Sequence, residues 1–187
     1  MKTRLALGLA GIAMAAAGFT GIALGDDDDE GFFRRSWGAA APPGVAVVDN
    51  RLYREECGSC HMAYPPGLLP APSWERLMAA LDDHFGENAE LPERERTIIL
   101  NYLLDAAAGR SNYRVSNKML RGMKEPPLRI SELPYFRHEH REIPQRLVSG
   151  NSRVRSLSNC DACHTRADQG SFSEHEIHIP GYGRYQD

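Results

Sequence analysis

Between Ser73 and Phe85 the apolar residues Trp74, Leu77, Met78, Leu81 and Phe85 recur at i, i+3, i+4, i+7 and i+11, with His84 on the same face at i+10. That period predicts an amphipathic helix, and Ser73 predicts its N-cap. A longer pattern over Leu91 to Ala108 predicts another helix. It places Pro92 near the first turn, Ile98, Ile99, Tyr102, Leu103 and Ala106 on the buried side, and Gly109 at the stop. Asp49 to Glu56 predicts a short helix, with Leu52 available to pack. Leu133 to Pro144 predicts one more, opened by Pro134 and ended by Pro144. On it Phe136, His140 and Ile143 share a face, whereas His138 points elsewhere. Tyr64-Pro65-Pro66-Gly67 interrupts regular structure, Arg110 to Pro127 reads as a linker or irregular connection, and Ser173 to Pro180 looks extended.

The first 25 residues follow a different rule. Lys2 and Arg4 precede an uncharged stretch, Leu5 to Gly25, rich in Ala, Gly, Leu and Ile and ending Ala23-Leu24-Gly25. This predicts a cleaved secretory signal rather than a membrane anchor, because the stretch is Ala/Gly-rich and barely long enough to span a bilayer. No adjacent Arg pair precedes it, so a twin-arginine signal is not indicated. The expected location is the periplasm, with the mature chain beginning after Gly25 at the acidic run Asp26 to Glu30. Residues 26–48 read as an acidic, flexible N-terminal segment.

Removing residues 1–25 takes away one Lys and one Arg, so the formal charge moves from −3 to 20 − 25 = −5. That mild acidity offers no basic patch for nucleic acid. Leu, Ile, Val and Phe are modest in number and there are 12 prolines, so the polypeptide core is thin for the length.

The cysteines supply what the core lacks. Cys57-Gly58-Ser59-Cys60-His61 and Cys160-Asp161-Ala162-Cys163-His164 are two copies of C-x-x-C-H, and they use all 4 cysteines of the chain. In this motif two thiols bond covalently to a haem and the following histidine ligates its iron. A four-cysteine zinc site does not need a His after each second Cys, and a redox dithiol belongs in a βαβ pattern that is not found here. Structural disulfides are open to an exported protein, but the doubled motif behind a signal sequence favours two covalently bound c-type haems. Two large apolar discs would also complete the core.

With His61 and His164 assigned as proximal ligands, the sixth positions fall to His84, His138, His140, His175 or His178, or to Met62, Met78, Met119 or Met123. His84 is favoured at the first haem, since it lies on the apolar face of the helix that follows the motif. Met78 shares that face as ordinary core packing. After His164 only 23 residues remain, none of them Met, so the second ligand is a histidine at 175 or 178 or a group from upstream. His140 is the better placed of the upstream pair, and reach alone leaves His138, His175 and His178 open.

Several blocks of the chain are similar to the small periplasmic dihaem cytochromes c of proteobacteria. They are Cys-Gly-Ser-Cys-His-Met-Ala-Tyr-Pro-Pro-Gly-Leu-Leu-Pro at 57–70, Asp-His-Phe-Gly at 83–86, Phe-Arg-His-Glu-His-Arg-Glu-Ile-Pro at 136–144 and the second Cys-Asp-Ala-Cys-His. The resemblance spans about Leu52 to Pro180. It implies an all-α, cytochrome c-like fold with two small haem-binding lobes, 49–110 and 111–187, and much irregular structure. It also implies bis-histidine haems, with His84 on the first iron and His140 on the second. The partners it implies are other redox proteins: a monohaem, oxygen-binding cytochrome c, with a b-type membrane cytochrome as a companion. The expected role is electron transfer between redox proteins, without catalysis. A dihaem peroxidase or small-molecule reductase is the rival, and it would need one open iron position. A haem-based sensor would need an output domain or permanent anchor.

Overall fold

A computed structural model describes residues 42–185. The expected signal sequence and most of the acidic segment lie outside the described residues. Among them the fold is mostly helical with much irregular structure: helices α1 (Arg51–Cys57), α2 (Ala71–Ala79), α3 (Glu93–Asp105), α4 (Arg114–Lys118) and α5 (Pro134–Glu139) are joined by 3-10 turns. The expectation of an all-α chain with much irregular structure holds but for one small addition. A two-stranded antiparallel pair, β1 (His178–Ile179) and β2 (Gly183–Arg184), closes the C-terminal segment, with His178 opposite Arg184.

Helix α1 starts where the side chain of Asn50 accepts a hydrogen bond from the Tyr53 N–H at 3.0 Å, an ordinary N-cap. It ends at Cys57 and so delivers the first haem motif from a helix terminus.

Helix α2 departs from the sequence expectation at both ends. It is entered from Pro70, so Ser73 lies inside the helix, fully buried, and is not the cap. It stops at Ala79, ahead of Asp82 and Asp83, whose charges would sit against the negative end of a longer helix. His84 therefore does not ride on a helical face. Leu81–Asp83 form a 3-10 turn, Phe85 takes a left-handed φ of 59° and Gly86 one of 99°, and the Asp83 carboxylate accepts from the Gly86 N–H at 3.0 Å. The His84 N–H donates to the Glu87 carbonyl at 2.7 Å, which closes a tight hairpin with the histidine at its corner.

Helix α3 carries Glu93 and Glu95 in its first turn, where acids complement the helix dipole, and packs against α2. Ile99 and Leu103 are fully buried, but Ile98, expected on the same face, is 42% exposed. The helix frees Ala106 and ends before Gly109, which has a φ of 81°.

The stretch expected as a linker, Arg110 to Pro127, contains α4. Gly44, near the start of the described chain, offers its carbonyl to the N–H groups of Val115 and Ser116 at 2.9 and 3.3 Å. Met119 is 3% exposed and belongs to the hydrophobic core, and Met123 packs against it. That core is continuous through Val45, Tyr53, Leu69, Trp74, Met78, Ile99, Leu103, Met119, Leu133 and Phe136. Helix α5 is half its expected length and leaves His140 as its C-cap, and Gln145–Leu147 follows as a 3-10 turn. Gly170 (φ 74°) ends another such turn, and its carbonyl accepts the Gly44 and Val45 N–H groups at 2.8 and 3.2 Å. A Cβ at 170 would stand 2.5 Å from the Val45 carbonyl oxygen, so this crossing requires glycine.

Candidate haem sites

The end of α1 and the segment after it place Cys57 half-buried, with Cys60 and His61 exposed. The Nδ1–H of His61 donates to the Met62 carbonyl at 2.8 Å, and the Tyr64 ring stacks on the imidazole with centroids 4.8 Å apart. Bonding at Nδ1 leaves the Nε2 lone pair free for a metal. Facing this ring is His84. The two centroids are 6.3 Å apart and the planes meet at 21°. Phe85 flanks His84 edge-on at 4.9 Å, and the Arg129 guanidinium lies 3.9 Å above the Phe85 ring.

The second motif sits on a 3-10 turn, Cys160–Ala162, in which the His164 N–H donates to the Cys160 carbonyl at 2.8 Å. His164 also bridges to Ile177, and Phe172 packs near its ring at 5.2 Å. Across from it stands His140, with centroids 6.1 Å apart and planes at 68°. His140 is held by Phe136, whose ring stacks on it at 3.9 Å and whose carbonyl accepts its Nδ1–H at 2.8 Å.

These separations suit a metal between the rings. An imidazole nitrogen lies about 1.1 Å from its ring centre and binds iron at about 2 Å, so two rings on opposite sides of one iron have centres about 6 Å apart. In each pair one ring is oriented by a carbonyl. The other, His84 or His164, has a buried Nδ1 with no hydrogen-bond partner.

The electrostatics point the same way. Burial lowers the basicity of His84, His140 and His164, the last to about 4, and the facing histidine lowers it further for His84 and His164. The rings are therefore neutral near pH 7, with lone pairs available. Burial pushes the Cys57 thiol up to about 11 and the Cys160 thiol up to about 12, the reverse of what a reactive dithiol or zinc thiolate requires. Among the described residues, no three His, Cys, Asp or Glu side chains gather into a metal-binding group, so the four cysteines do not form one zinc site.

The remaining sequence candidates stand apart. His138 is exposed and bonded to the Glu139 carboxylate at 3.0 Å. His178 is exposed in β1, although its N–H reaches the Cys163 carbonyl at 3.0 Å, and His175 lies within 3.8 Å of the Glu174 carboxylate. Met78 and Met119 are core residues. Sequence reasoning did not single out Tyr64, Arg129 or Phe172, and it took Phe85 only as part of an apolar helical face. Each aromatic lies close in sequence to a motif or candidate histidine, which was the available signal.

The sequence profile of the dihaem cytochrome c family matches residues 53–172, a span that takes in both motifs and both facing histidines. The chain belongs to the dihaem cytochrome c family. It is similar to a dihaem cytochrome c from Shewanella baltica OS155, at 39% identity over 75% of this chain and 100% of that one, with a TM-score of 0.62. It is also similar to the dihaem cytochrome c from Rhodobacter sphaeroides, at 48% identity over 68% of this chain and 100% of that one, with a TM-score of 0.61. No protein with a curated description matches the sequence. The dihaem cytochrome thus carries two c-type haems with iron, and its thin polypeptide core is explained by the apolar surface they contribute.

Proposed function

We propose that this dihaem cytochrome c is an electron carrier with two closed, bis-histidine irons. Cys57 and Cys60 attach the first haem and Cys160 and Cys163 the second. His61 and His84 ligate the first iron, and His164 and His140 the second. The observation that carries this reading is the spacing of the two histidine pairs, 6.3 and 6.1 Å between ring centres, each matching two imidazoles on one iron. A closed iron exchanges electrons without binding a small molecule, which assigns the chain a transfer role and leaves catalysis to a partner.

The apolar segment ahead of Asp26 supports export to the periplasm, where covalent haem attachment and exchange with other redox proteins would take place. By the resemblance of its motifs, its partner is a monohaem, oxygen-binding cytochrome c, with a b-type membrane cytochrome as a further electron source. The mature charge of −5 favours a partner with a basic face and a short-lived, salt-sensitive encounter.

Rapid mixing of the reduced protein with an oxidised monohaem cytochrome c tests this role. Fast, complete electron transfer that slows as salt rises is expected. A reduced protein that passes no electrons to such a cytochrome but consumes peroxide would overturn it.

A further inference from the structure

Tyr64 touches both haem sites. Its backbone carbonyl accepts the hydroxyl of the buried Tyr53 at 2.8 Å, which fixes the segment to the core. Its ring stacks on His61 at 4.8 Å and 24°. Its own hydroxyl donates to the Ser158 carbonyl at 2.7 Å, across 94 residues of sequence. Ser158 stands two residues before Cys160, and its carbonyl oxygen is 3.7 Å from the Cys160 sulfur.

The loop that presents this carbonyl is itself braced. The Ser158 N–H donates to the Ser156 hydroxyl at 3.1 Å and the Asn159 amide to the Val154 carbonyl at 2.7 Å. Val154 is buried, so the Ser158 carbonyl is held from behind while Tyr64 holds it in front. A tyrosine serving only to fill the core would be buried, whereas Tyr64 is half-buried, with its ring on a candidate ligand and its hydroxyl on a distant chain segment. Burial, with Asp161 nearby, pushes the pKa of that hydroxyl up, so it remains a donor at neutral pH.

We propose that Tyr64 is a positioning residue shared by the two haem sites: it backs the His61 ring and, through Ser158, fixes the Cys160 attachment point, and so sets the spacing and electronic coupling of the two haems. This rests on reading His61 as an iron ligand and Cys160 as a haem attachment. The process it governs is a one-electron exchange, in which the ferrous iron of one site becomes ferric and the ferric iron of the other becomes ferrous. No proton moves, and Tyr64 itself stays neutral and is not oxidised.

The test compares the holoprotein with Tyr64→Phe, which keeps the ring and removes the hydroxyl, and Tyr64→Leu, which removes both. After confirmation of two covalent haems by mass, the readouts are the two reduction potentials, the low-spin spectrum of the first haem and the rate of electron equilibration between haems after rapid partial reduction. Y64F is expected to slow equilibration severalfold while keeping the first-haem spectrum. Y64L is expected to slow it and also to shift that spectrum. Ser156→Ala loosens the same carbonyl from outside Tyr64 and is expected to slow equilibration in the same sense. An unchanged rate and potential gap in Y64F overturns the proposal, and so does an unchanged S156A should Y64F not take up haem. The ligand reading fails on a different result, a first haem that stays six-coordinate and low-spin in His61→Ala, which removes the ring-backing half of the proposal with it.

Discussion

His140 lies flat on Phe136, with ring centroids 3.9 Å apart and planes at 13°, while its Nδ1–H donates to the carbonyl of that same residue at 2.8 Å. One residue thus fixes both the plane and the tautomer of the candidate second-haem ligand, and that residue is itself the buried core residue of its helix.

Phe136→Ala should act twice. Removing a ring that is 7% exposed costs about 3 kcal/mol of stability, and it releases His140 to rotate. Denaturant melts should show the first effect. The second should appear as a partly high-spin spectrum confined to one of the two haems.

Replacing the facing histidines should open the sites one at a time. His84→Gly should let cyanide bind the first haem and His140→Gly the second, each leaving the other haem low-spin. His138→Gly, His175→Gly and His178→Gly should leave both closed, because those rings lie away from the facing pairs. Cyanide titrations followed in the visible spectrum read all five variants.

The two pairs differ in ring orientation, 21° at the first and 68° at the second. Near-parallel imidazoles interact unequally with the two iron orbitals that lie perpendicular to the haem plane, whereas near-perpendicular ones treat them alike. Electron paramagnetic resonance of the oxidised protein should therefore show one rhombic low-spin signal and one highly axial signal. His84→Gly should abolish the rhombic one.

Alkaline stability should reflect the buried tyrosines. Burial raises Tyr53 well above 10.0, and burial also raises Tyr102. In the unfolded chain tyrosines ionise near pH 10, so above that pH the unfolded state binds fewer protons than the folded one and stability falls as pH rises. Below pH 10 both states keep the proton and this contribution stays constant. Thermal melts should show a midpoint that declines above about pH 10, and Tyr53→Phe should make the decline shallower.

Much of the site was legible because its chemistry is written locally. The doubled C-x-x-C-H motif specifies haem attachment wherever it folds, and apolar periodicity placed α3 close to its observed position, whereas α5, bounded in sequence by Pro134 and Pro144, is half as long as expected. His84 was reached through a helix that stops at Ala79; the turn that carries it depends on Asp82, Asp83 and the left-handed Phe85-Gly86 pair, a conformation that apolar periodicity does not encode. His140 stood out because Phe136 lies one helical turn before it, and that spacing survives in the last turn of the shorter helix. Helix α4 was missed since its buried positions, Ser116 and Lys118, are polar. Tyr64 was not singled out because its contact with Ser158 arises only when segments 94 residues apart are brought together.

The most direct test of the account is the response of the unaltered protein, oxidised and reduced, to cyanide and carbon monoxide. Two irons each held between facing histidines should give low-spin spectra in both redox states that neither ligand changes. An iron that takes up either ligand readily would show an open site, and would contradict the assignment of this chain as a closed electron carrier.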